Sequence, residues 1–205
     1  LPFSVMAASV IYNKQIFEEQ GLTAPTTFEE LQALCEQLEA ADIACLANAG
    51  GPFWSLYNFY APLVSVIGVD GYFQLAAGEM SFTGPEFREA LELFRDTYAE
   101  NYIDNWGGKT WAQGADDVVA GRAAFYQMGD WVSGYFKDVN WVPGEDYDFF
   151  PAPGVGSAVV IQVDAIATPN GSEASNAASD NLLRVAASTD AQASFNLHKG
   201  SIAAN

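Results

Sequence analysis

Residues 122 to 136 read Arg-Ala-Ala-Phe-Tyr-Gln-Met-Gly-Asp-Trp-Val-Ser-Gly-Tyr-Phe. An apolar strand pattern stops at Gly129, and a helix pattern begins at Asp130 with Trp131 in its first turn. In an open α/β sheet, small molecules bind outside the carboxyl ends of the strands, where a helix N-terminus offers unpaired backbone N–H donors. Trp131 supplies a flat apolar platform there, and Asp130 a planar acceptor that could also cap the helix. A stacking face beside a carboxylate suits a pyranose ring, whose C–H faces are apolar and whose rim carries paired hydroxyls.

Trp54 and Trp111 repeat this placement, each just inside a predicted helix, Trp54 after a strand and a glycine turn. Trp106 and Trp141 lack that junction and read as packing residues. Asp164 interrupts an otherwise apolar strand and needs a partner if buried, either a ligand hydroxyl or a lysine, for which Lys199 is the natural candidate. Other chemistry fails on inspection. Gly107-Gly108-Lys109-Thr110 lacks the leading glycine of a phosphate loop, because Ile103 stands there. Gly154-Val155-Gly156 has Val159 at the third glycine position of a dinucleotide fingerprint, and no G-x-S-x-G elbow occurs. His198, the single histidine, has no nucleophile patterned with it, and two cysteines with one histidine give a zinc site almost no material. No catalytic residue, metal or cofactor is expected. Asn170-Gly171-Ser172 is a formal glycosylation sequon.

The elements that must position these groups follow from periodicity. Leu1 to Ile11 is an apolar run of buried-strand type, and Tyr12 to Gly21 a short amphipathic element with a glycine stop. Thr27 and Glu30 form a capping-box pair ahead of a helix with Leu31, Leu34, Cys35 and Leu38 on one face. A strand over Ile43 to Ala47, a turn through Gly50 and Gly51, and Pro52 at the next helix start lead to Trp54. The spacing predicts a helix over Pro85 to Tyr98 with Phe87, Ala90, Leu91, Phe94 and Tyr98 in the core. Trp111 to Ala120 is a further short helix. Residues 141 to 158, rich in Pro, Gly and Asp, read as a crossover rather than a core element. A strand from Ala158 to Ala167, an alanine-rich helix ending near Ala187 and a helix from Ser188 through Phe195 complete an alternation that argues an α/β fold. Cys35 and Cys45 are near enough to be bridged, or else are two buried thiols.

The 205 residues carry 26 acidic against 8 basic side chains, a net charge of −18, which repels nucleic acid and anionic lipid alike. No apolar run reaches the ~18 residues of a membrane span, so no direct membrane insertion is expected. The abrupt apolar opening at Leu1, with no leader pattern, suggests a piece of something longer.

In order along the chain, Ser9-Val10-Ile11-Tyr12-Asn13-Lys14, Phe17, Gly21-Leu22, Pro25 to Leu31, Gly121 to Phe125 and Met128-Gly129-Asp130-Trp131 resemble sugar-type ABC-transporter solute-binding proteins. Asp164 before Pro169, Leu182-Leu183, Asp190-Ala191-Gln192, Phe195 and Lys199-Gly200-Ser201-Ile202 are similar to the glucose- and mannose-binding subgroup. That resemblance implies a type II periplasmic binding protein fold, two lobes joined by crossover strands, with one lobe incomplete in this chain. It places crossovers at residues 1–8 and 149–158, the second lobe at 9–148 and a partial return to the first at 159–205. It implies a sugar captured between lobes by hinge motion and handed to ABC permease subunits in the periplasm or another extracytoplasmic space. It also implies stacking from Trp54, Trp111 and Trp131, and polar contacts from Asp130, Asp164 and Lys199. Where the subgroup has a histidine in the crossover strand, this chain reads Met6-Ala7-Ala8. The alternative is a glycoside hydrolase or other carbohydrate-active enzyme, for which Asp130 and Asp164 are the only carboxylates the sequence puts near such a site.

Overall fold

A computed structural model describes residues 1–169 and 171–204. The sequon at Asn170 thus lies outside the described residues. The chain divides into two compact units: residues 1–8, 129–140 and 160 onward form unit 1, and residues 9–128 and 141–159 form unit 2. The stretch Gly129–Asn140 groups with unit 1 rather than with the rest of residues 9–148. Its backbone explains this, because the Asp130 N–H donates to the Ala7 carbonyl.

Strand β1 (Pro2–Asn13) runs through both units. In unit 2 its end caps helix α1 (Lys14–Gln20), where the Asn13 side chain accepts from the Ile16 N–H and Gly21 stops the helix at φ 63°. Helix α2 (Phe28–Ala40) starts at Thr27 with both bonds of the capping box present, and buries Leu31, Leu34, Cys35 and Leu38 as the spacing predicts. Strand β2 (Ala44–Ala47) follows, and a Cys35–Cys45 disulfide ties it to α2.

Helix α3 (Pro52–Ala76) is interrupted at Gly68, whose φ of 70° and ψ of 174° break the helical path. The predicted core face of α4 (Pro85–Thr97) needs one correction. Ala90 and Tyr98 are buried, but Leu91 is 46% exposed, because it sits one residue past the stripe that packs on α3. Helix α5 (Trp111–Val119) leads to strand β3 (Ala123–Gly129), every residue of which is buried. Strand β3 lies between β1 and β2, parallel to β2, with Leu46 opposite Phe125. Helices cover parallel strands on both faces, so such strands read as continuous apolar runs.

The expected helix at Asp130 begins later, with α6 (Val132–Asp138). Asp130 occupies the turn because its carboxylate bonds back to β1 instead of capping. Residues 141–158 are also more than a crossover. They contain β4 (Tyr147–Phe150), antiparallel to β1 with Val10 opposite Phe150, and its Tyr147 and Phe150 are buried. Trp106 packs on Tyr102 and Trp141 stacks on Tyr147, both structural contacts within unit 2.

Unit 1 continues with β5 (Ile161–Ala165), α7 (Glu173–Ala186), α8 (Thr189–Lys199) and β6 (Ile202–Ala203). Strands β5 and β6 pair with β1, which sets Ser4 opposite Asp164. Helix α8 outruns its predicted end at Phe195 because nothing stops it before Gly200, which turns the chain at φ 78°. Two buried amides fasten α8 to β1: Asn196 Nδ2 donates to the Phe3 carbonyl and Gln192 Nε2 to that of Pro2. No helix among the described residues is long and apolar enough to cross a membrane.

Candidate functional site

Unit 1 gathers Asp130, Trp131, Asp164 and Lys199 around the β1 residues Ser4, Met6 and Ala7. Lys199 lies in the last turn of α8, where a cation meets the partial negative charge of the helix end. Its Nζ donates to Asp164 Oδ2 at 2.7 Å and to Ser4 Oγ at 2.9 Å, sits 3.2 Å from Met6 Sδ and stands 5.7 Å above the Phe195 ring. The pairing of Asp164 with Lys199 is the one its sequence position calls for. Ser4 and Met6, both buried, carry no motif. The only available signal for Ser4 is a hydroxyl inside a strand that reads as buried, and Met6 gives none.

The Lys199 hydrogen bond, more than any other influence, holds the Asp164 carboxyl below the ordinary carboxylate range. A carboxyl that is more acidic in the folded chain stabilises the fold above its unfolded value, and loses that contribution as pH falls through the lower, folded value. Asp164→Asn is therefore expected to flatten the acid limb of the stability profile below pH ~4, measured by thermal melts across pH. Equal acid limbs for the two proteins would refute this.

Asp130 behaves oppositely. Its Oδ2 accepts from the Ala7 N–H at 3.2 Å, while Oδ1 is buried with no hydrogen-bond partner. Burial pushes this carboxyl above its ordinary value, and the Ala7 backbone bond, the Lys199 charge and a backbone hydrogen bond from Trp131 oppose the shift without cancelling it. An ionised Asp130 thus costs stability at neutral pH, a cost that fades as pH falls from the folded value toward the unfolded one. Asp130→Asn should keep or raise the melting temperature at pH 7. It should also weaken a hydroxyl-bearing ligand by about 1 kcal/mol, since a bond to a charged acceptor is the stronger one. A lower melting temperature with unchanged affinity would mean that the carboxylate serves the fold alone.

Trp131 is the N-cap residue of α6 and is half-buried. In unit 2, Trp111 is the first residue of α5, behind a complete Thr110–Gln113 capping box, and the Tyr126 hydroxyl donates to its carbonyl at 3.0 Å. Trp54 lies in the first turn of α3 with Phe53 edge-on to it at 4.9 Å. The loops that launch these two helices are joined by the Gly50 N–H, which donates to the Lys109 carbonyl at 2.8 Å. A β-carbon at Gly50 would collide with the Gly107 carbonyl, so only glycine allows the approach. Within α5, the buried Asp117 carboxylate takes Arg122 on one oxygen and Lys109 on the other, fixing the residue two before Trp111. This brace has no sequence signature beyond three charges on neighbouring elements. Each tryptophan therefore stands in the first turn or cap of its helix, as its spacing predicts. Unit 1 holds Asp130, Trp131, Asp164 and Lys199, and unit 2 holds Trp54 and Trp111.

Among the described residues, no group of three or more His, Cys, Asp or Glu side chains could hold a metal ion.

The model of the family described as bacterial extracellular solute-binding protein matches residues 1–193. An uncharacterised ABC transporter extracellular-binding protein of Pyrococcus horikoshii is 36% identical over 98% of this chain and 46% of its own length. A probable sugar-binding periplasmic protein of Rhizobium meliloti is 30% identical over 99% of this chain and 49% of its own. The chain thus spans about half the length of these relatives. Among solved structures, a chitin oligosaccharide binding protein superposes with a TM-score of 0.81 at 20% identity, covering 99% of this chain and 53% of that one. The mixed α/β fold is that of the type II periplasmic solute-binding proteins.

Proposed function

We propose that this chain, which belongs to the bacterial extracellular solute-binding protein family, carries much of the sugar-contacting surface of an ABC importer's binding component. The observation that supports this most strongly is Asp130 Oδ1, a buried acceptor without a hydrogen-bond partner, in the residue that precedes Trp131. Leaving a buried charged acceptor unsatisfied is costly, and a sugar hydroxyl is the donor that would relieve it. Trp131 in unit 1, and Trp111 and Trp54 in unit 2, each offer an apolar face of the kind that stacks on the C–H side of a sugar ring. Lys199, whose three donors go to Asp164, Ser4 and the weak acceptor Met6 Sδ, would exchange the Met6 sulfur for a second hydroxyl. The carboxylates Asp130 and Asp164 are read as hydrogen-bond acceptors, Asp164 being tied up by Lys199 through its Oδ2. The protein binds and releases its sugar unchanged.

Delivery then rests on a population shift. A sugar that contacts both lobes stabilises the closed state, and a permease that reads that state receives loaded protein in preference to empty. The crossovers near residues 1–8 and 149–158 are the proposed hinges. The family is extracellular and relatives such as that of Rhizobium meliloti are periplasmic, so the chain works outside the cytoplasmic membrane.

Calorimetric titration of the full-length protein against D-glucose, D-xylose, N-acetylglucosamine and chitobiose, with amino acids as the contrast, tests the reading. Saturable one-to-one binding of a sugar is expected. Binding of an amino acid but of no sugar would overturn it.

A further inference from the structure

Gly129 ends β3, yet its backbone does not need glycine, because it is absent from the residues with positive φ. What requires glycine is space. A β-carbon built on Gly129 would overlap Cζ3, Cε3 and Cη2 of Trp131, so the benzo edge of the indole rests directly against the Gly129 Cα. Carbon atoms pack no closer than about 3.5 Å, and even alanine would push the ring off this seat.

The surroundings leave the indole as the part that yields. Gly129 is buried, and the helix that follows it is held by the buried side chains of Val132 and Phe136 and by close backbone approach to the end of α8. A β-carbon on Gly134 would stand 2.6 Å from the Lys199 carbonyl oxygen, and one on Gly200 would stand 2.6 Å from the Gly134 nitrogen. Helix α6 and the C-terminal turn of α8 therefore approach closely at Gly134 and Gly200. An alanine at Gly129 would have to displace the edge of that indole.

We propose that Gly129 is a positioning residue for Trp131. Its bare Cα is the seat that sets the plane of the indole, and so the orientation of the stacking face relative to Asp130. The consequence for sugar binding rests on the function proposed above. The seat itself does not.

The test uses full-length protein labelled with 6-fluorotryptophan, in which Trp131→Phe assigns the Trp131 fluorine resonance. Gly129→Ala is expected to shift that resonance by more than its linewidth while the other tryptophan resonances hold. It should also raise the dissociation constant for the sugar that binds best among D-glucose, D-xylose, N-acetylglucosamine and chitobiose by about tenfold. Added to Trp131→Ala, it should weaken binding no further, because the platform it positions is already gone. A Trp131 resonance that stays put in Gly129→Ala overturns the proposal. A shifted resonance together with unchanged sugar affinity in Trp131→Ala upholds the seat and overturns the sugar-platform reading instead.

Discussion

Trp131→Ala is expected to weaken sugar binding by about 1 to 3 kcal/mol, some tenfold to a hundredfold, with little change in melting temperature. The indole stands at the cap of α6 and is half-buried. Its removal therefore deletes a platform without opening a core cavity. Aromatic faces at the centre of a recognition site carry a large share of its binding energy, because they bury wide apolar area with few rotamers to freeze. The expected signature is selective. Titration of the variant should show a raised dissociation constant, and calorimetric unfolding should overlay that of the parent protein. A melting temperature lowered by many degrees with sugar affinity intact would assign Trp131 to the packing of unit 1.

The second large effect concerns stability and lies in unit 2. The Cys35–Cys45 bridge closes a segment with a sequence separation of 10 residues between α2 and β2, at a Cα–Cα distance of 5.0 Å. Closing a loop of that length removes about 3 kcal/mol of conformational freedom from the unfolded chain. Replacing both cysteines with alanine should therefore cost about 2 to 3 kcal/mol, a fall in melting temperature of roughly 5 to 10 °C for a protein of this size. Sugar affinity should hold, since none of the proposed contacts touches the bridge. Equal melting temperatures for the bridged protein and the double variant would show that the unfolded chain gains nothing from release.

Much of this was legible in the residues, and the exceptions have physical causes. The Thr27–Glu30 capping box, the glycine stop at Gly21 and the cysteine-bearing face of α2 are local patterns, and each is present as read. The same holds for three tryptophans at helix starts, since Pro52, Thr110 and the β3–α6 turn are short-range signals. The Asp164–Lys199 pair, 35 positions apart, is present as expected, but burial is not its cause, since the Asp164 side chain is 47% exposed. What escaped depends on the third dimension. Asp130 abandons the cap for a bond to Ala7, 123 residues away, and no periodicity encodes that choice. Strand β4 hides within a proline- and glycine-rich stretch because its pairing with β1 outweighs weak local propensity. The break at Gly68 and the exposure of Leu91 depend on how α3 and α4 pack, so spacing alone could not reveal them.

Asp130 carries the central claim, and a crystal structure of the full-length protein with its bound sugar would test it most directly. A ring hydroxyl within about 3 Å of Asp130 Oδ1, with the sugar lying across the Trp131 indole, is the predicted result. A sugar held elsewhere, with Asp130 Oδ1 still unpaired, would contradict the account.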